Sequence, residues 1–272
     1  MGRIEEALAR RAANEAGHPK ALVTYLCCGD PDEAESVNLA VACAEEGADI
    51  LELGMPFSDP TADGPAIARA SQRALAKGGG FDATLRVARA VRAHCATPIV
   101  LFGYYNPLFV RGEERVVALA ADAGVDAFLV VDLPLDESTS LRSLAAAREI
   151  SVVPLVAPTS TPERIAKIGE TAKRFPVPFV YYVSMMGVTG GSGLTHVLAD
   201  ASTQAARVRG LTGRPTLVGF GIDSGAAART AGAEADGVVV GSAIVRKIEE
   251  GTSPEARLAA VRAIVQELRS AT

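Results

Sequence analysis

Eight short apolar runs, each followed by a longer alanine-rich stretch with helical spacing, dominate this chain from residue 21 onward. The runs occupy 21–26, 50–53, 99–102, 127–131, 152–156, 179–183, 216–218 and 238–240. They are nearly continuous in apolar character instead of alternating, as strands are when helices cover both faces of a parallel sheet. Helices are expected near 32–46, 64–77, 81–94, 113–123, 136–149, 161–174, 195–209, 223–233 and 254–269. Eight such units in 272 residues leave about 34 residues each, which fits a closed α/β (β/α)8 TIM barrel better than an open doubly wound sheet, the alternative. Ile4, Leu8 and Ala12 share one helical face, so an extra N-terminal helix is expected to plug one end of the barrel. No linker, low-complexity tract or composition shift divides the chain, and a single barrel domain over 1–272 is expected.

A glycine followed shortly by an aspartate recurs before the strands: Gly47-Ala48-Asp49, Gly124-Val125-Asp126, and Gly232 with Asp236. Each glycine is expected to end a helix in the left-handed conformation and turn the chain into the next strand.

Composition narrows the partners. Lys and Arg number 27 against 32 Asp and Glu, a net charge of −5 that leaves no basic footprint for nucleic acid. No run approaches the ~18 apolar residues of a membrane span. The charged start, Met1 to Glu6, lacks the apolar stretch of a signal peptide. The four cysteines, Cys27, Cys28, Cys43 and Cys95, show no metal or redox spacing and suit a reducing compartment. A cytoplasmic protein without a membrane or nucleic-acid partner is expected.

Reactive groups in such barrels come from the C-terminal ends of strands and the loops after them. Two carboxylates stand out there. Glu52 lies inside an apolar strand, where a carboxylate is costly unless paired or functional. Asp63 follows on the next loop, before Gly64-Pro65. Structural readings exist for both: a buried ion pair for Glu52, a helix N-cap for Asp63. Together at one pocket mouth they suit proton transfer with substrate orientation, and burial should raise the pKa of Glu52 so that it serves as acid and base. Opposite them lie three glycine-rich segments: Gly187-Val188-Thr189-Gly190-Gly191-Ser192-Gly193, Gly219-Phe220-Gly221 and Gly241-Ser242. Any one could be only a tight strand-to-helix turn. Three on neighbouring strands favour a phosphate cradle of backbone N–H groups, hence a small phosphorylated substrate.

Other chemistries fail at the residue level. Ser224 stands where a dinucleotide fingerprint needs its third glycine, and there is no Walker A lysine pattern. His18, His94 and His196 are scattered, no serine sits in a nucleophile elbow, and no lysine ends a predicted strand. Cys27 and Cys28 read as small core residues. Acid–base work without a metal or organic cofactor on this chain is expected.

The segment Leu51-Glu52-Leu53-Gly54-x-Pro56-Phe57-Ser58-Asp59-Pro60-x-Ala62-Asp63-Gly64-Pro65 resembles the signature of the tryptophan synthase alpha subunit family. Seven further motifs match in order: Gly29-Asp30-Pro31, Tyr104-Tyr105-Asn106-Pro107, Asp132-Leu133-Pro134, Ala157-Pro158-Thr159, Gly187-Val188-Thr189-Gly190, Gly219-Phe220-Gly221-Ile222 and Gly241-Ser242-Ala243-Ile244-Val245. The resemblance implies a carbon–carbon lyase of tryptophan biosynthesis that cleaves indole-3-glycerol phosphate to indole and glyceraldehyde 3-phosphate. It implies Glu52 as general acid and base and Asp63 as the acceptor of the indole N–H. Tyr182 would position substrate, and N–H groups at Gly190, Gly221, Gly241 and Ser242 would hold its phosphate, with Tyr25 and Phe220 among the pocket walls. It also implies a pyridoxal-phosphate beta subunit in an α2β2 heterotetramer, faced by Phe57, Ser58, Asp59, Pro60, Thr61, Asn106 and the loop Asp132-Leu133-Pro134. Thr61, Met185 and Met186 depart from the family pattern in loops that would couple the subunits. An autonomous indole-releasing lyase and a non-catalytic phosphate-binding regulatory subunit are the alternatives.

Overall fold

The computed structural model describes residues 2–14, 17, 19–184, 192–219 and 221–272. The strands are β1 (Ala21–Cys27), β2 (Ile50–Gly54), β3 (Ile99–Gly103), β4 (Ala127–Val130), a fifth strand β5 in two pieces (Ser151–Val152 and Leu155–Val156), β6 (Val180–Val183), β7 (Thr216–Gly219) and β8 (Gly237–Val240). All neighbours pair in parallel, and β1 lies between β2 and β8. The first piece of β5 pairs with β4 through Phe128↔Val152, the second with β6 through Leu155↔Tyr181. The nine ladder segments are therefore eight strands in a closed ring. The expected run 152–156 changes partner midway because Pro154 has no N–H to donate to a ladder. Its carbonyl accepts from Tyr181 N–H at 3.0 Å, while Val153 N–H still reaches Phe128 at 2.8 Å.

The described residues form twelve α-helices around and below the ring: α1 (Arg3–Ala12), α2 (Glu33–Glu45), α3 (Pro65–Ala76), α4 (Phe81–His94), α5 (Tyr105–Arg111), α6 (Glu113–Asp122), α7 (Thr139–Ala146), α8 (Pro162–Thr171), α9 (Ser192–Thr212), α10 (Gly225–Gly232), α11 (Ser242–Glu250) and α12 (Pro254–Ala271). Sequence patterning misses α5 and α11. In α5, Pro107 sits in the first turn, where its missing N–H costs nothing.

Side chains alternate across each strand. Val23, Ile50, Val100, Leu129, Tyr181, Leu217 and Val239 fill the barrel, whereas Leu22, Leu51, Leu101, Phe128, Tyr182 and Val218 pack with the helices. Ile4 and Leu8 of α1 join the inner cluster and close the end where the strands begin. Ala12 is exposed, and Ala7 is the third buried residue of that helix.

The recurring aspartates fasten the same end. The Oδ2 atoms of Asp49, Asp126 and Asp236 accept from the N–H groups of Leu22, Ile99 and Thr216 at 2.9, 2.8 and 2.7 Å. Each aspartate returns its own N–H to the carbonyl of that same residue. Arginines complete the clamps: Arg11 and Arg269 on Asp49, Arg3 and Arg92 on Asp126, Arg209 on Asp236. Gly47 and Gly124 take positive φ values of 101° and 77°, as expected after a helix. Gly232 does not; it is the last residue of α10, and the chain turns over Ala233 to Asp236 instead.

Candidate active site

With α1 filling one end, the open end of the barrel is where the strands finish, and both carboxylates lie there. Glu52 has the inward parity of Ile50 and pairs in register with Tyr25 on β1 and Val100 on β3. It is 1% exposed, and its Oε1 has no hydrogen-bond partner. Desolvation alone pushes its carboxyl up to about 8. Among the described residues no lysine or arginine pairs with it, which removes the ion-pair reading.

Asp63 sits half-buried on the loop between β2 and α3, in a turn closed by its N–H on the Pro60 carbonyl at 3.0 Å. It does not cap α3; Gly64 occupies that position without a side-chain bond. Burial raises the Asp63 carboxyl to about 6, opposed by a hydrogen bond from the Tyr104 hydroxyl. That hydroxyl also accepts from Ala62 N–H at 2.9 Å, and the Tyr104 ring stacks on Phe57 at 4.9 Å. Tyr104 thus fixes the acidic loop to the end of β3. Sequence reading placed it in a motif without giving it a role.

Two inward tyrosines frame the pair. Tyr25 is buried edge-on to Phe102, and a Cβ added at Gly54 would lie 2.2 Å from its hydroxyl. Tyr181 is buried likewise, with its hydroxyl 2.0 Å from a Cβ added at Gly219. Burial raises both phenols well above their usual value, and Glu52 and Asp63 add to the effect on each. Both phenols thus lie within electrostatic reach of the two acids at the open end of the barrel. Tyr182, the expected positioning residue, belongs instead to the outer layer, where Asp200 of α9 acts on its phenol. Strand parity puts Tyr181, not Tyr182, on the inward face. Gly219 is glycine because Tyr181 needs the space.

The expected phosphate cradle divides in two. At α10, the Ser224 side chain caps Ala227 N–H, and a Glu267 carboxylate oxygen accepts from Gly225 N–H at 2.7 Å. The protein's own anion fills that N-terminus. At α11, Gly241 is the N-cap with no side-chain bond, Ser242 is the first helical residue, and the first-turn N–H groups have no intrahelical acceptor. A Cβ added at Gly241 would lie 3.2 Å from Tyr25 Cβ, so this helix start adjoins Tyr25, the in-register neighbour of Glu52. Gly221 lies nearby on the chain at φ +74°. Gly190, Phe220, Met185 and Met186, with most of the 187–193 loop, lie outside the described residues.

Around the mouth, Ser58, Asp59, Asn106, Asp132 and Pro134 are exposed, and Phe57 and Pro60 half-buried. Asp132 also accepts the first N–H of α5, from Tyr105, at 2.7 Å. That helix displays Phe109 and Val110 at 65% and 74% exposure. Sequence reading missed this pair, although Leu108-Phe109-Val110 after Asn-Pro was its signal. Cys27 and Cys28 are buried, and desolvation pushes the Cys27 thiol to about 12. Among the described residues no helix is long and apolar enough to cross a membrane.

Comparison with known proteins agrees with this geometry. A tryptophan synthase alpha chain from Geobacter sulfurreducens is 48% identical over 236 residues, 87% of each chain. One from Burkholderia pseudomallei strain 1106a is 44% identical over 275 residues, spanning 100% of this chain and 97% of its own. The crystal structure of tryptophan synthase subunit alpha from Legionella pneumophila str. Paris superposes with a TM-score of 0.86 at 33% identity, covering 100% of this chain and 98% of that one. A Mycobacterium tuberculosis tryptophan synthase structure gives 0.85 at 34% identity, with 100% and 98% covered. Residues 11–272 match the family as a whole, and the chain belongs to the tryptophan synthase alpha chain family.

Proposed function

We propose that Glu52, Asp63 and Tyr181 carry the lyase reaction known for this family, the cleavage of indole-3-glycerol phosphate to indole and glyceraldehyde 3-phosphate. The observation that carries the assignment is the buried Glu52 on the inward face of β2, its Oε1 without a hydrogen-bond partner; burial pushes the carboxyl up to about 8, so it holds its proton at pH 7. The substrate phosphate binds the N–H groups of Gly221, Gly241 and Ser242, with Gly190 and Phe220 on the same side. The indole ring lies between Tyr25, Phe102 and Tyr181. Neutral Glu52 gives its proton to indole C3, and Asp63 accepts the ring N–H and offsets the positive charge that develops. The bond from C3 to the glycerol carbon then breaks as that carbon's hydroxyl returns a proton to Glu52, leaving an aldehyde. Tyr181 orients the side chain beside Glu52, and Tyr104 holds Asp63 in place.

This acid–base chemistry asks for no cofactor on this chain. Pyridoxal phosphate belongs to a beta subunit, joined in an α2β2 heterotetramer in the cytoplasm, that takes the indole onward. Phe57, Ser58, Asp59, Pro60, Asn106, Asp132 and Pro134 face it, and the exposed Phe109 and Val110 give this surface its apolar centre. All of this rests on one barrel domain, 1–272.

Indole release from indole-3-glycerol phosphate, by the purified chain alone and with a family beta subunit, tests the assignment. Slow turnover alone, a large rise with partner, and a loss of about 10²- to 10⁴-fold in Glu52→Gln are expected. Fast turnover unmoved by partner would make the chain an autonomous lyase. No indole in either case would overturn the catalytic assignment and leave a phosphate-binding regulator.

A further inference from the structure

Between α7, α8 and the ends of β4 and β5 lies a cavity of ≈ 290 Å³ that none of Glu52, Asp63 or Tyr181 lines. It opens where β4 and β5 stop pairing beyond Phe128↔Val152, ahead of Pro154. Its apolar wall is made chiefly by Val130, Val156, Ile165 and Ile168, its polar lining includes Asp132, Ser138, Ser160 and Arg164, and one charged side chain, Arg142, is buried in it. Arg142 is 3% exposed, donates from Nε to Ser138 Oγ at 2.8 Å and from Nη1 to the Val152 carbonyl at 2.7 Å. Among the described residues its Nη2 has no hydrogen-bond partner and no carboxylate pairs with it. Desolvation alone lowers this guanidinium to about 10, so no neighbouring acid compensates it.

A buried guanidinium with an open donor edge is costly unless an anion completes it. We propose that this cavity binds a small organic monocarboxylate with an apolar body, its two oxygens on the free Nη edge of Arg142. The donor set favours a carboxylate over phosphate. Ser138 Oγ is already spent on the Leu135 carbonyl and Arg142, and Ser160, whose Oγ accepts Ala157 N–H at 3.1 Å, is only half-buried and keeps its O–H toward solvent. That leaves a planar fork for two oxygens and nothing buried for a third. Exposed Arg164 and Asp132 stand at the mouth, and the apolar walls take the ligand's body.

Ligand-observed NMR titration of the full chain with cyclohexanecarboxylate, its neutral carboxamide and inorganic phosphate tests this. Saturable binding of the carboxylate is expected, in the millimolar range for a ligand of this size and at least about tenfold tighter than the amide. Ile168→Phe fills the cavity without touching Arg142 and should abolish that binding while indole release stays unchanged. Arg142→Met should weaken it about tenfold or more; the Ile168 variant decides if loss of the Val152 contact unfolds the Arg142 one. Equal binding of carboxylate and amide, displacement by phosphate, unaltered binding in Ile168→Phe, or no binding at all would each overturn the proposal.

Discussion

Glu52 is expensive to fold. Its carboxyl, ordinarily near 4.5, titrates at about 8 in the folded chain because burial penalises its charge. The folded state therefore keeps a proton that the unfolded chain gives up from about pH 4.5 upward. Its contribution to stability is fully present below that range and is lost as pH rises toward 8. Glu52→Gln should accordingly be near neutral in urea melts at pH 4.5 and stabilising at pH 8, on the order of a few kcal/mol. On the proposed assignment, Glu52 and Asp63 set the pH profile of catalysis. kcat/KM should be bell-shaped, with an acid limb near 6 where Asp63 loses its charge and an alkaline limb near 8 where Glu52 loses its proton. Tyr181→Phe should lower kcat/KM by about tenfold or more, the scale of one hydrogen bond, while Tyr182→Phe leaves it within twofold; steady-state assays of the pair check this. Both acids are legible in sequence because each breaks a local rule, a charge within an apolar strand and an aspartate before Gly-Pro. Tyr181 and Tyr182 are not separable in that way. In a strand buried on both faces every position is apolar, so no alternation marks the inward residue.

Elements with uniform patterning were legible and elements with a local exception were not. The strand runs and most helices follow from apolar spacing, but the exchange of partners within β5 depends on one missing N–H, at Pro154, and on tertiary pairing to either side. α5 hides behind Asn106-Pro107, and its first N–H is satisfied by Asp132 from another loop. The Gly-x-Asp recurrence is visible in sequence as a turn signal, yet its carboxylate acts on a strand start 20 or 27 residues earlier. Asp126 shows what that costs to lose. Asp126→Ala leaves Ile99 N–H without its acceptor and the half-buried Arg92 without its carboxylate, with only the carbonyls of Cys95, Thr97 and Gly124 to receive its donors. Destabilisation of about 2–4 kcal/mol in urea melts is expected, with kcat/KM unchanged because the open end is untouched.

Across the whole molecule the two barrel ends do opposite work. The end sealed by α1 gathers paired charges and reciprocal backbone bonds, while the open end holds an unpartnered acid, raised phenols and an uncapped helix start. This division fits a fold whose stability and chemistry reside at separate faces. The clamps have a further consequence for how the molecule comes apart. They tie β1 to β2, β3 to β4 and β7 to β8, each across a short stretch of chain, whereas β5 and β6 share none. Three βαβ units are thereby self-locking, while the quarter around the broken strand has its interrupted ladders and its packing but no such clamp. Native-state amide hydrogen exchange should resolve this as cooperative units: Leu22, Ile99 and Thr216 protected to near the global limit, Val153 and Tyr181 exchanging through a smaller, earlier opening. Partial unfolding would then begin at the fifth strand, with the three locked units surviving as the last native structure.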